Sequence, residues 1–107
     1  AGAGEAAKGA PFAKRCAACH KFESGGPNGV GPNLFGVVGR AVASHEGYEY
    51  SDAMKTFGAG KTWDEATLDT YLANPKATVP GNKMAFPGVK AEADRANVIA
   101  YLKTLAP

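Results

Sequence analysis

The sequence predicts an all-α fold: three main helices and one short helix, separated by long irregular loops. Three observations predict it. Apolar residues fall on one helical face in three segments, while a fourth, shorter segment runs up to a stopping glycine. Two stretches, residues 23–50 and 74–90, show no sustained period-2 alternation, so any strand in them is short. Finally, 14 Gly and seven Pro in 107 residues demand much loop. A small, loop-rich chain needs a staple: disulfides, a metal or a large bound cofactor.

The elements follow in order. The first helix is expected over about Ala10–His20, with Phe12, Cys16, Cys19 and His20 on one face. Pro11 suits its first turn, where the missing N–H costs nothing. An earlier start would bring Pro11 inside the helix and kink it. The short helix is expected over Ser51–Phe57, stopped by Gly58. The next opens on a capping box, Thr62 with Glu65, and runs through Leu68, Tyr71 and Leu72 until Pro75 ends it. The last spans about Ala91–Leu105. Val98, Ile99, Leu102 and Leu105 share one face, with Glu92 and Asp94 in the first turn and Lys103 in the last.

Length suits one domain, residues 1–107. The chain has 12 basic and 10 acidic residues, a net charge of +2, too balanced for a nucleic-acid binder recognised by charge. No apolar run approaches the roughly 20 residues that span a bilayer. The opening "AGAGEAAKG" lacks the basic and apolar regions of a signal peptide. It fits the start left by signal cleavage, and equally an uncleaved start.

Both cysteines lie in "RCAACHKF", residues 15–22. Cys16-Ala17-Ala18-Cys19-His20 has the C-x-x-C-H spacing of c-type haem attachment. Two thiols three residues apart add to two vinyl groups on one porphyrin edge, and the adjacent imidazole projects toward the iron. Other chemistries fit less well. A thioredoxin-like redox pair expects a βαβ setting, and this chain shows little strand. A zinc site on Cys16, Cys19, His20 and His45 would ask adjacent residues to reach one tetrahedral ion. A disulfide across two residues is strained and closes a tiny loop.

An iron with one histidine has a further position to fill. Met84 is the preferred ligand, because "PGNKMAFPG" is irregular, is bracketed by two Pro-Gly pairs and can wrap over a haem face. Met54 sits in the short helix as an expected core side chain, and His45 reads as a surface residue. Either of these, or an open position, is the alternative.

The run "CAACH", "VGPNLFGVVGR", "YEYSDA", "TWDEATLDTYLANPK", "VPGNKMAFPG" and "VIAYLK" resembles the class I c-type cytochromes of the mitochondrial kind, including bacterial cytochromes c2, from about Phe12 to Leu105. The resemblance implies one covalent haem c, with Cys16 and Cys19 as tethers and His20 and Met84 as axial ligands. It implies a Pro32 carbonyl that accepts from the His20 imidazole. It further implies Arg40, Tyr50 and Trp63 around the haem propionates, Tyr71 and Asn82 near the Met84 sulfur, and Phe86 shielding the haem. First and last helices should pack together. The sequence departs from the family in four places. Lys8, followed by Gly9, stands where a small glycine marks the helix crossing. Met54 replaces a common Asn, Asn82 replaces the usual Thr, and "MKTFGAGKTW" is about two residues longer.

The resemblance also implies a one-electron carrier rather than an enzyme, a monomer working in the bacterial periplasm, with the mitochondrial intermembrane space as the alternative. Arg15, Lys76, Lys83 and Lys90, with Lys14 and Lys21 nearby, match a basic ring that meets acidic docking surfaces of membrane redox complexes. Asp64, Glu65, Asp69, Glu92 and Asp94 cluster elsewhere. The competing readings are a peroxidase-like or nitrite-handling haem enzyme with an open iron, and a zinc-stabilised interaction module.

Overall fold

The computed structural model describes residues 4–45, 47–82, 84 and 86–105. Five helices occur in them: α1 (Ala6–Cys16), α2 (Asp52–Gly58), α3 (Glu65–Ala73), α4 (Pro75–Thr78) and α5 (Glu92–Lys103). Strand pairing among these residues is one isolated bridge, Ala41 with Thr62. The all-α expectation holds, with one more short helix than expected.

The first helix starts four residues earlier than expected and carries Pro11 inside it. Pro11 forfeits one backbone bond, but the early turns are held by packing on α5. Gly9 is buried at the crossing: a Cβ there would lie 2.0 Å from the Asn97 carbonyl oxygen and 3.0 Å from the Tyr101 Cβ. Gly4 meets the Ala96 carbonyl in the same way. Gly9, not position 8, therefore serves as the crossing glycine. Asn97 completes the joint by accepting the Glu5 backbone N–H at 2.9 Å. Tertiary packing sets the helix length here, as is usual for short helices. At its other end α1 stops at Cys16, yet the His20 N–H still reaches the Cys16 carbonyl at 2.8 Å.

Ser51 caps α2, its hydroxyl accepting from the Met54 N–H at 3.1 Å. The expected Thr62–Glu65 capping box does not form. Asp64 is the cap of α3 and accepts from the Thr67 N–H at 2.7 Å. Thr62 is instead occupied in the bridge to Ala41, beside Trp63 N–H to the Arg40 carbonyl at 2.8 Å. Pro75 ends α3 and also begins α4: it sits at the first helical position, while Asn74 caps by accepting from the Ala77 N–H. That pairing of Asn with Pro suits a helix start.

The last helix ends at Lys103, two residues short of the expected Leu105. The Thr104 hydroxyl turns back to the Tyr101 carbonyl at 2.6 Å, and the Leu105 carbonyl accepts from Gly36. The core gathers Val37, Val42, Trp63, Leu68, Tyr71, Leu72, Val79, Val98, Ile99 and Leu102. The longer loop after α2 frames, with residues 41–43, an open groove of about 400 Å³.

Candidate functional site

The turn after α1 presents the cysteines and His20. Cys16 is half-buried, Cys19 is exposed, and the two form no disulfide. Burial, with the neighbouring Cys19 adding to it, pushes the Cys16 thiol up. The His20 Nδ1 lies 2.7 Å from the Pro32 carbonyl oxygen. That acceptor makes Nδ1 the protonated nitrogen and leaves the Nε2 lone pair available to a metal. Burial pulls the imidazole below its ordinary value of 6.5, so the ring is neutral at pH 7.

The loop that carries Pro32 is itself tightly held. Gly31 donates to the Cys19 carbonyl at 2.7 Å and Leu34 to the Lys21 carbonyl at 2.8 Å. A Cβ on Gly31 would fall 2.4 Å from the His20 Cε1, so only glycine lets the ring lie there. Asn33, 2 % exposed, is the buried polar side chain of this region. Its Nδ2 donates to the carbonyls of Glu23 (3.0 Å) and Pro27 (3.4 Å), and its Oδ1 accepts from the Phe35 N–H at 2.8 Å. In the sequence, Asn33 and Gly31 carry no mark beyond the turn signal "GPN" beside the motif.

A second group of side chains comes from α3 and the segment after α4. The Tyr71 hydroxyl donates to the Met84 Sδ at 3.5 Å. Burial pushes the Tyr71 phenol up to about 12, so it stays a donor at neutral pH. The Asn82 Oδ1 accepts from the Met84 N–H at 2.7 Å while its Nδ2 donates to the Pro75 and Val79 carbonyls, each at 2.9 Å. Trp63 and Tyr71 pack at 5.2 Å between ring centres, with Phe57 against both. Phe86 is half-buried, and so is Met54, which packs on the core.

Arg40 is half-buried and donates to the carbonyls of Asn33 (3.1 Å) and Phe35 (3.4 Å), with His45 Nδ1 at 3.2 Å. Tyr50 joins this group by accepting from the His45 N–H at 3.2 Å. His45, expected on the surface, is therefore half-buried against Arg40.

Among the docking candidates Arg15, Lys76 and Lys90 are exposed, and Lys83 lies outside the described residues. The Arg15 guanidinium sits 5.3 Å above the Phe12 ring. No three His, Cys, Asp or Glu side chains gather to hold a metal ion among the described residues, so the zinc reading has no geometric support. Among the described residues no helix is long and apolar enough to cross a membrane.

This donor set suits a haem. Two thiols stand unpaired, one imidazole nitrogen is committed to a carbonyl and the other is available, and half-buried Phe12, Leu34, Phe57, Met84 and Leu105 line the core. A helical fold with C-x-x-C-H at its first turn and such a lining defines a protein that carries a covalent haem c. The chain belongs to the cytochrome c family, whose signature matches residues 6–106.

Individual relatives agree. The chain is 52 % identical over 100 residues to a "Cytochrome c homolog" of Bradyrhizobium diazoefficiens, covering 92 % of this chain and 53 % of that protein. It is 53 % identical over 102 residues to "Cytochrome c2" of Rhodomicrobium vannielii (95 % and 80 % covered). It is 48 % identical over 91 residues to "Cytochrome c" of the fungus Kluyveromyces lactis (85 % and 81 % covered). The chain thus spans about half the length of the Bradyrhizobium relative.

Proposed function

We propose that residues 1–107 act as a single domain that carries one electron at a time between redox partners, with His20 and Met84 as the axial ligands of its haem. When bound, the haem supplies an iron that alternates between ferrous and ferric. The chain's own residues do the rest. Pro32 orients His20, Asn82 and Tyr71 orient the Met84 thioether, and Arg40, Tyr50 and Trp63 offer donors to the haem propionates. Thioether sulfur is soft and favours ferrous iron, which raises the potential, as is general for cytochromes c. With His20 and Met84 both holding the iron, no position would remain for peroxide or oxygen, which favours a carrier over an enzyme.

The observation that carries this reading is the Tyr71–Met84 contact at 3.5 Å. It gives the Met84 sulfur a dedicated donor, and Asn82 holds the same residue by its backbone N–H, which supports Met84 over Met54 or His45 as the ligand. Arg15, Lys76, Lys83 and Lys90 are the docking residues of the proposal, meeting acidic surfaces of membrane redox complexes by electrostatic steering. The bacterial relatives support the periplasm as the compartment, and the fungal relative supports the intermembrane space as the alternative.

The test is spectroscopic. The ferric protein is expected to show the near-infrared sulfur-to-iron charge-transfer band. Met84→Ala should abolish it and Met54→Ala should keep it; the opposite pattern overturns the ligand assignment. The reduced protein should bind carbon monoxide very weakly at neutral pH, and avid binding would favour the enzyme reading.

A further inference from the structure

The segment 79–90, which carries Met84, is fastened at both ends. Asn82 fastens the first end to α4. The second end is fastened by residues far away in sequence. Gly88 has a φ of +108° and approaches α3 so closely that a Cβ would lie 2.6 Å from the Ala73 carbonyl oxygen. This approach lets the Val89 N–H reach the Leu72 carbonyl at 2.7 Å, while the Lys90 Nζ donates to the carbonyls of Ala73 (3.2 Å) and Pro87 (3.0 Å). The segment thereby satisfies carbonyls left over at the end of α3.

Arg95 of α5 locks this arrangement. Its Nε donates to the Asp69 Oδ1 of α3 at 2.7 Å, and its Nη1 donates to the carbonyls of Val89 (3.1 Å) and Lys90 (2.8 Å). One guanidinium therefore joins α3, α5 and the end of the Met84 segment. The pair is largely shielded: Arg95 and Asp69 side chains are 13 % and 27 % exposed. The other two ion pairs among the described residues, Lys8–Glu5 and Lys103–Glu65, keep every partner at least half exposed. Exposed pairs contribute little, whereas shielded, charge-assisted bonds are about twice as strong as neutral ones.

We propose that Arg95 and Asp69 form a positioning pair for the Met84 thioether: by fixing the far end of segment 79–90 they set how readily Met84 yields its place to an outside ligand. The proposal rests on His20/Met84 ligation. In the exchange the thioether sulfur leaves, the ring nitrogen of the incoming base takes its position, and no electron moves.

Imidazole binding to the ferric holoprotein tests this, with the near-infrared band and the denaturation midpoint read in parallel. Arg95→Leu should raise imidazole affinity about tenfold, the worth of one charged hydrogen-bonded contact. Asp69→Asn, which keeps the shape and the carbonyl bonds, should raise it by a smaller factor and serves if Arg95→Leu does not fold. Arg95→Lys should fall between the parent and Arg95→Leu. Ile99→Val, a buried α5 change outside the clasp, should lower the midpoint and leave imidazole affinity at the parent value. Unchanged affinity in the clasp variants, or an equal rise in Ile99→Val, overturns the proposal while leaving Met84 as ligand. A parent protein without the band overturns the ligation itself, and the proposal with it.

Discussion

Two asparagines, Asn33 and Asn82, do the same work beside His20 and Met84. Each Nδ2 donates to two backbone carbonyls, and each Oδ1 accepts a backbone N–H two residues on. Their surroundings differ. Asn33 is 2 % exposed and sits in a loop that is closed by its own neighbours, from Cys19 to Leu34. Asn82 is only half-buried, and the segment it serves depends on Tyr71 of α3 and Arg95 of α5. The histidine side is therefore self-contained, while the methionine side borrows its support from distant elements. Of the two ligands proposed above, His20 is then the one expected to stay put and Met84 the one expected to yield when the molecule is loosened.

The largest expected effect that tests this contrast is at Asn33. Asn33→Ala empties a buried site and leaves the Pro27 carbonyl and the Phe35 N–H without that partner, while the Glu23 carbonyl keeps the Gly26 N–H. At ~1–3 kcal/mol for each buried group left unpaired, a loss of about 3 kcal/mol in denaturant stability is expected. Asn82→Ala removes the same number of bonds from a half-open site, where water replaces them, so the loss should be about half as great. Asn82→Thr restores an acceptor for the Met84 N–H but no donor for the Pro75 and Val79 carbonyls, and its stability should fall between parent and Asn82→Ala. If Asn82→Ala cost more than Asn33→Ala in equilibrium denaturation, the contrast between the two sides would be wrong.

The same contrast explains what could be read from the sequence. C-x-x-C-H is a local motif, and the loop that serves it follows within 14 residues, so its chemistry lies on one short stretch. The helices were legible as periodic faces, but their limits were not. The start of α1 depends on Gly9 meeting the Asn97 carbonyl, a contact across 88 positions that no local rule contains. Pro75 was read as a stop because proline ends a helix; that it also begins one follows from Asn74 before it, a cap with a proline at the first helical position. At α3 two residues offered themselves as caps, and the bridge from Thr62 to Ala41 left the place to Asp64. The Arg95–Asp69 pair left no trace in the sequence at all. The acids of that helix read only as a cluster away from the basic ring, and only packing of α3 on α5 brings Asp69 to Arg95.

The smallest expected effect lies at the entry to α3, the helix that brings Tyr71 to Met84. Asp64 accepts hydrogen bonds from Thr67, through its hydroxyl and its backbone N–H, and these hold its carboxyl below the ordinary 3.8. A carboxyl lowered by folding contributes stability above its unfolded value and loses it as pH falls through the folded one. The contribution is thus complete above about pH 3.8 and disappears below it. Asp64→Asn keeps a side-chain oxygen that caps equally well but does not titrate. The difference in denaturation midpoint between parent and Asp64→Asn, followed from about pH 5 down to about pH 2.5, should therefore shift against the parent only at the acid end. The shift should be small, because the carboxylate is exposed and water screens it. A difference that stayed constant over the whole range would show that the Thr67 bonds do not distinguish the charged cap from the neutral one, and that α3 brings no acid sensitivity to the methionine side.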